Sequence, residues 1–184
     1  FSLGMPEKTA VCILADKEEI GSVGISGMQS HYFEHFMEGL CDAQGVKLSD
    51  CFANSFCLSA DVSNAFDPNW PETCDKRNNS QLNYGVAICK YTGSRGKGGA
   101  SDASAEAMGH VRSTLDKAGV IWQIATLGKV DQGGGGTVAA YMANRNIVTV
   151  DAGVPVLSMH APLELVSKLD CYETMLACKA IYLA

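Results

Sequence analysis

The stretch at residues 9–22, which reads TAVCILADKEEIGS, decides the fold that the sequence predicts. It opens with a continuous apolar run at residues 9–15 and ends in an acidic turn that contains Glu18 and Glu19. A short apolar run without polar alternation is typical of a strand that is buried on both faces, as in a parallel sheet. We therefore predict a buried parallel strand that delivers two glutamates at its carboxyl end.

Strand candidates alternate with helix candidates along the rest of the chain. Apolar runs predict strands over residues 56–62, 84–91, 120–127, 147–150 and 156–160. Apolar periodicity predicts a helix over residues 26–41, and a cap at Ser101 or Asp102 predicts another that ends at Ala118. A short helix is predicted after the glycines 133–136, ending at Met142, and a last helix is predicted from Pro162 to the end of the chain. This alternation predicts a single α/β domain whose mainly parallel sheet is covered on both faces.

The composition excludes several classes of protein. Of the 184 residues, 47% are hydrophobic and 18% are charged, which is typical of a globular domain. The net charge of −6, without a basic cluster, argues against a nucleic-acid or membrane partner, and no apolar run is long enough to span a bilayer. The 8 cysteines include no C-x-x-C pair, and several lie in apolar runs, so we predict reduced thiols and a cytoplasmic location. The first residue is Phe1 and not Met, and it opens no signal-peptide pattern, so we expect a processed chain or a piece of a longer one.

Ionisable side chains follow three of the predicted strands. Glu18 and Glu19 follow the first strand, Asp61 follows the second, and His160 ends the last. In open parallel sheets, ligands bind outside the carboxyl ends of the strands. Carboxylates with an imidazole suit a divalent ion such as zinc or manganese, and adjacent glutamates can divide the work of metal binding and proton transfer. Spacing alone equally allows solvated carboxylates in turns.

Three ordered motifs carry a family resemblance. They read ADKEEIGS at residues 15–22, LSADVSNAFDPN at 58–69 and SMHAP at 158–162. In order and rough spacing they resemble the aspartyl aminopeptidase and vacuolar aminopeptidase I family of di-zinc exopeptidases, over essentially the whole chain. The resemblance implies a zinc-exopeptidase-like, three-layer α/β/α fold with a mainly parallel, mixed sheet. It also implies that residues 1–184 are the C-terminal part of a metallo-aminopeptidase catalytic domain.

The resemblance also implies roles for individual residues. Glu18 would be the general base, Glu19 and His160 would bind one metal ion, and Asp61 would bind the other. Asn64 stands where family members often have a histidine that faces substrate. The implied activity is removal of acidic or neutral N-terminal residues from short peptides, through a water activated by two zinc ions, with manganese or cobalt as other possible metals.

One departure from the family concerns residues that this sequence lacks. In the family, a bridging aspartate and another histidine ligand lie upstream of the Glu-Glu motif, whereas the 17 residues before Glu18 contain no histidine. The family's inserted dimerisation domain is also missing. We therefore expect an incomplete metal site in this sequence and, by resemblance, a homo-oligomer: a dodecamer built from dimers. An alternative is a non-catalytic assembly subunit or fragment.

Other motifs allow different interpretations. His31, Glu34 and His35 fit H-x-x-E-H, so an inverted zinc protease is a further alternative, and a plain helix surface is the other interpretation. The glycine-rich, basic residues 93–99 fit no phosphate-loop register and predict a flexible loop near substrate. The glycines 133–136 could offer backbone N–H groups to a carboxylate or oxyanion, or could form a tight turn.

Overall fold

The computed structural model describes residues 7–184, so Phe1 lies outside the described part. The elements follow in this order: α1 Tyr32–Gln44, α2 Leu48–Ala53, β1 Phe56–Ser59, β2 Ser63–Asn64, β3 Val86–Cys89, β4 Tyr91–Ser94, β5 Gly98–Asp102, α3 Ala105–Ala118, β6 Trp122–Ala125, α4 Ala139–Ala143, β7 Val148–Gly153, β8 Pro155–Leu157, β9 Leu165–Val166 and α5 Lys168–Tyr182. Short 3-10 turns lie at Glu18–Ile20 and Pro71–Thr73.

The main sheet has the strand order β1–β7–β3–β6. Strands β1 and β7 are parallel, as are β3 and β6, while β3 and β7 run antiparallel at the centre. A second sheet, β2–β8–β9, continues beyond β1 and β7, and β4 with β5 forms a hairpin. The predicted α/β class with a mainly parallel, mixed sheet is confirmed.

Helices cover both faces of the main sheet because its strands alternate apolar side chains between the faces. On β1, Phe56 and Leu58 pack towards α3 and α5, whereas Cys57 packs towards α1, α2 and α4. The core under α3 and α5 is built mainly from Val86, Ile88, Val111, Leu115 and Val150. The result is the predicted three-layer arrangement.

Several helix starts differ from the predicted ones, and the first is α1, which begins at Tyr32 and not at residue 26. The cap of α3 is Ser104, whose hydroxyl accepts a hydrogen bond from the Ala107 N–H at 3.1 Å, and Ser101 and Asp102 belong to β5 instead. The prediction was wrong because the β4–β5 hairpin extends to the residue that the pattern offered as a cap. The end of α3 at Gly119, with a left-handed φ of 69°, agrees with the sequence.

The last helix begins at Lys168 and not near Pro162. Residues of β9 first pair with β8, and the Ser167 hydroxyl then accepts hydrogen bonds from the N–H groups that open the helix. The proline therefore lies in the preceding turn, where its fixed φ is equally well tolerated. Among the described residues, no helix combines the length and apolarity that crossing a bilayer requires.

The buried parallel strand predicted at residues 9–15 is absent from the structure. The segment forms no ladder, Leu14 is 92% exposed and Ile13 is 40% exposed. It contacts the rest of the chain through Val11, whose carbonyl accepts a hydrogen bond from the Tyr182 hydroxyl at 3.1 Å. A strand exists only where a neighbour pairs with it, and within residues 7–184 this segment pairs with none.

Candidate metal centre

Asp61 lies at the point where the chain leaves the main sheet. Strand β1 ends at Ser59, and the chain then pairs as β2 with β8 two residues after Asp61. The backbone of Asp61 passes so close to Gly153 of β7 that a Cβ on this glycine would lie 1.4 Å from the Asp61 carbonyl oxygen. The Asp61 side chain is half-buried, and its Oδ1 accepts a hydrogen bond from the Val62 N–H at 2.7 Å. Strand pairing on both sides therefore fixes this carboxylate.

Glu18 and Glu19 lie on the 3-10 turn Glu18–Ile20. Lys17 enters the turn with a left-handed φ of 57°, and Gly21 closes it by donating its N–H to the Glu18 carbonyl at 2.9 Å. Glu18 is half-buried, whereas the Glu19 side chain is 73% exposed. The turn therefore directs two adjacent carboxylates into different surroundings.

His160 lies on a second turn and meets Glu19. Its Nε2 is 3.3 Å from Oε2 of Glu19, and its backbone N–H donates to Oε1 of Glu164 at 2.5 Å. Both Ser158 and His160 have left-handed φ values, of 58° and 67°. Such values are uncommon outside glycine, and clustered outliers are often found at functional sites.

Two carboxyl groups of the cluster, those of Glu18 and Asp61, have raised pKa values. Burial raises the pKa of Glu18, the negative charges of Asp61 and Glu19 raise it further, and His160 opposes them. Burial also raises the pKa of Asp61, the Val62 N–H opposes this, and the charge of Glu19 adds to it. Mutual repulsion of this kind is relieved by a bound cation, which makes the cluster a candidate for divalent metal ions.

Two side chains of the cluster, Glu19 and His160, are close enough to share one ion. No three His, Cys, Asp or Glu side chains in residues 7–184 are grouped closely enough to hold a single ion. A carboxylate with an imidazole is a zinc-type pair, so the residues present fit zinc in part.

Asp151 is a buried residue of the site that the sequence did not single out. It lies on β7, is 6% exposed, and accepts hydrogen bonds from the Thr137 hydroxyl at 2.8 Å and the Thr92 hydroxyl at 3.3 Å. Burial raises its pKa, and these hydrogen bonds oppose the shift. Asp151 and Asp61 line one small cavity of about 10 Å³. The sequence signal that could have identified Asp151 is the same as for Asp61: an acidic residue at the end of a short apolar run.

Asn64, the predicted substrate-facing residue, is engaged within the protein. Its side-chain Nδ2 donates to the sulfur of buried Cys74 at 3.3 Å, and its backbone carbonyl accepts from the Ser80 hydroxyl at 2.9 Å. The side chain is therefore held in one orientation on β2, close in sequence to Asp61. All eight cysteines, which lie in the described part, are free thiols.

The two glycine-rich segments pack against each other. Residues 93–99, predicted as a flexible loop, belong to the β4–β5 hairpin, and the Arg95 N–H donates to the Gly133 carbonyl at 2.8 Å. A Cβ on Gly134 would lie 2.7 Å from the Gly93 carbonyl oxygen, and one on Gly136 would lie 2.7 Å from that of Gly99. Glycine is needed here for close backbone approach, which favours the tight-turn interpretation of residues 133–136.

The H-x-x-E-H residues form an ion-pair cluster. His31 pairs with Glu34 through its Nδ1, and the other Glu34 oxygen accepts from Nε of Arg145 at 2.7 Å. These residues and His35 border an open pocket of about 610 Å³. The described residues contain no group of three metal-binding side chains, so the structure does not assemble the inverted zinc-protease site.

The three layers and the placement of the acidic turn define a zinc-exopeptidase-like α/β domain. The sequence matches the Peptidase M18 family, described as aminopeptidase I zinc metalloprotease, over residues 2–182. The chain belongs to this family, and the resemblance predicted from the three motifs is confirmed.

Relatives within the family extend well beyond this chain. A probable M18 family aminopeptidase 1 of Clostridium acetobutylicum is 51% identical over 172 residues, which cover 91% of this chain and 37% of the relative. The crystal structure of an M18 family aminopeptidase from Thermotoga maritima superposes with a TM-score of 0.87 at 43% identity, over 91% of this chain and 38% of that one. The S. cerevisiae mApe1 dodecamer has a TM-score of 0.75 at 25% identity, over 91% and 36%. The chain thus spans less than two fifths of each of these three proteins.

Proposed function

We propose that this chain carries part of the active site of a zinc aminopeptidase that removes N-terminal residues, acidic or neutral, from short peptides. The observation that carries the proposal is the 3.3 Å approach of Glu19 and His160, beside Glu18 and Asp61, in a member of the M18 family. Zinc bound there would supply Lewis acidity, which polarises the scissile carbonyl and acidifies the attacking water.

Glu18 is the proposed general base. It takes a proton from the attacking water and passes it to the leaving amine of the cleaved peptide. Its half-buried position and raised pKa support this role, because a carboxylate with a raised pKa is the stronger base. Asn64, held by Cys74 three residues after Asp61, is proposed to border the substrate.

Glu19, His160 and Asp61 are the proposed metal ligands. Glu19 and His160 would hold one zinc ion, and Asp61 would help to hold the second, with manganese or cobalt as substitutes. Three ligands are too few for a bridged pair of ions, so we infer that further ligands come from outside these 184 residues. The 184-residue chain alone should then bind zinc weakly and be inactive.

The oligomeric state and the cellular location are also part of the proposed function. By relation to the S. cerevisiae mApe1 dodecamer, we propose a closed homo-oligomer, which would be a dodecamer built from dimers. The net charge of −6 and the reduced thiols support a cytoplasmic enzyme of short peptides without a nucleic-acid or membrane partner. The alternative of a non-catalytic assembly subunit predicts no turnover under any metal condition.

The test replaces Glu18 with Gln in the full-length protein. The change keeps the shape of the side chain and removes the proton acceptor, so turnover should fall by about 10² to 10⁴-fold while bound zinc is retained. Glu19→Gln should instead lose zinc, and Glu106→Gln on the exposed first turn of α3 is the matched control. Normal activity in Glu18→Gln, or an inactive unmodified protein loaded with zinc, would contradict the proposal.

A further inference from the structure

The turn that carries Glu18 and Glu19 has little apolar packing of its own. None of its three residues, Glu18–Ile20, is buried, and Ile20 is 65% exposed. Apolar burial is the usual source of a fixed position in a folded chain. Within residues 7–184, the position of this turn therefore depends mainly on hydrogen bonds to its backbone.

Three hydrogen bonds near the turn involve Gly21, which directly follows it. Its N–H donates to the Glu18 carbonyl, and its own carbonyl accepts from Nε2 of Gln29 at 2.6 Å and from the Tyr141 hydroxyl at 3.2 Å. Gln29 Nε2 also lies 3.3 Å from the Tyr141 oxygen. Two side chains from distant parts of the sequence thus hold the peptide group that ends the turn.

Arg145 holds these two side chains in place. Its side chain is 13% exposed, and its guanidinium donates to the carbonyls of Tyr141 at 2.8 Å and Ser30 at 3.2 Å, and to the Glu34 carboxylate at 2.7 Å. Ser30 directly follows Gln29. The guanidinium therefore links the start of α1 to α4, so that the side chains of Gln29 and Tyr141 both reach the Gly21 carbonyl. Glu34 of the H-x-x-E-H motif, which binds this guanidinium, thus has a structural role.

We propose that Tyr141 is a positioning residue for Glu18 and Glu19, acting with Gln29 through the carbonyl of Gly21. The inference rests on the proposed aminopeptidase function. Catalysis depends on the placement of the base and the ligand to within a fraction of an ångström, and a displacement of about 1 Å can lower the rate by about 10²-fold. Tyr141 contributes by fixing the turn and does not touch the reacting atoms.

The first test is Tyr141→Phe in the full-length, zinc-loaded protein. The change keeps the ring and removes only the hydroxyl. The matched control is Tyr84→Phe, since Tyr84 is 63% exposed and its hydroxyl makes no hydrogen bond within the described residues. We expect Tyr141→Phe to lower kcat about tenfold with KM changed by less than about twofold. The assay uses a zinc concentration that saturates both proteins, and the melting midpoint should then match that of the control.

The second test is a double-mutant cycle with Gln29→Met, which keeps the length of the side chain and removes its N–H donors. If both side chains act through one carbonyl, the double variant should lose much less activity than the product of the two single losses. Fully multiplicative losses would overturn the shared-carbonyl arrangement.

The outcomes separate this inference from the proposed function. An active protein in which Tyr141→Phe and Tyr84→Phe have equal kcat would overturn the inference and leave the proposed function standing. A fall in kcat that is matched by a lower melting midpoint would also overturn it, because the role of Tyr141 would then be structural alone. A zinc-loaded unmodified protein without aminopeptidase activity would overturn the proposed function, and the inference with it.

Discussion

The two halves of the candidate metal centre are built in different ways. The Asp61 half consists of Gly153 and Asp151 on β7 of the main sheet and of Asp61 in the short link between β1 and β2. The Glu19 half, which consists of the turn Glu18–Ile20 and the turn at His160, lies on exposed segments held by hydrogen bonds. The sheet therefore fixes the Asp61 carboxylate, whereas the geometry of the Glu19 half depends on a few polar contacts.

The two halves differ because the segment that leads into Asp61 is paired with a neighbouring strand and the segment that leads into Glu18 is not. Strand β1 pairs with β7 along its whole length, from Phe56 opposite Val148 to Ser59 opposite Asp151. The segment that leads into the Glu18–Ile20 turn pairs with no strand among residues 7–184, and its Leu14 is 92% exposed. Buried ladder hydrogen bonds resist local opening, whereas exposed turns open at small free-energy cost.

The largest effect should come from closing the narrow space inside the Asp61 half. Gly153→Ala places a methyl group against the backbone of Asp61, which cannot move without breaking strand pairs on both sides. We expect the free energy of unfolding to fall by about 3 kcal/mol or more, measured by urea denaturation of the full-length protein. Gly109 lies on the exposed face of α3, with no atom near an added methyl group, so Gly109→Ala should raise the free energy of unfolding by about 0.5–1 kcal/mol. Equal effects of the two changes would refute the tight packing at Asp61.

Thiol labelling should distinguish the buried sheet from the exposed surface. Burial raises the pKa of Cys57 to about 11 and that of Cys89 to about 11, so less than about a hundredth of either thiol is ionised at pH 8. Both should therefore react with iodoacetamide at least about 100-fold more slowly than exposed Cys171. The modified sites would be read by peptide mass spectrometry over time. Comparable rates at pH 8 would mean that the sheet beside Asp61 opens readily.

The smallest expected change in the free energy of unfolding comes from removing one hydroxyl–aspartate hydrogen bond, either in the Asp61 half or beside the Glu18–Ile20 turn. Thr137 donates to buried Asp151 at 2.8 Å, and Ser26 donates to exposed Asp16 at 2.6 Å. Thr137→Val should lower the free energy of unfolding by about 2 kcal/mol, because it removes a partner of a buried carboxylate. Ser26→Ala should leave it unchanged within error, since water replaces the lost donor. The two halves would have to be regarded as equivalent if both changes destabilised alike.

The sequence predicted those parts of the fold that local patterns determine. The apolar run at residues 56–62 predicted a strand, which the structure has at Phe56–Ser59, and the acidic residues after residue 15 lie on a turn at Glu18–Ile20. Gly119 marked the end of α3 because a left-handed residue is needed there. The family followed from three motifs in order, whose combination is far more specific than any one of them.

The sequence could not supply contacts that join distant residues. The Tyr141 hydroxyl and the Gly21 carbonyl are 120 positions apart, and no local periodicity announces such a hydrogen bond. The pairing of residues 9–15 is also non-local, so the pattern of a buried strand appeared without the neighbour that a strand requires. The hydrogen bonds that hold Asp151 are non-local as well, because its partners Thr92 and Thr137 lie in other segments.

Anomalous diffraction at the zinc edge, on crystals of the full-length protein, tests the assignment of the metal ligands. We expect two peaks about 3.5–4 Å apart, one within about 2.2 Å of Glu19 and His160 and the other at the same distance from Asp61. Glu18 should lie close to both peaks without binding either ion. A single peak between His31 and His35, or peaks that contact none of Glu19, Asp61 and His160, would contradict the proposed centre.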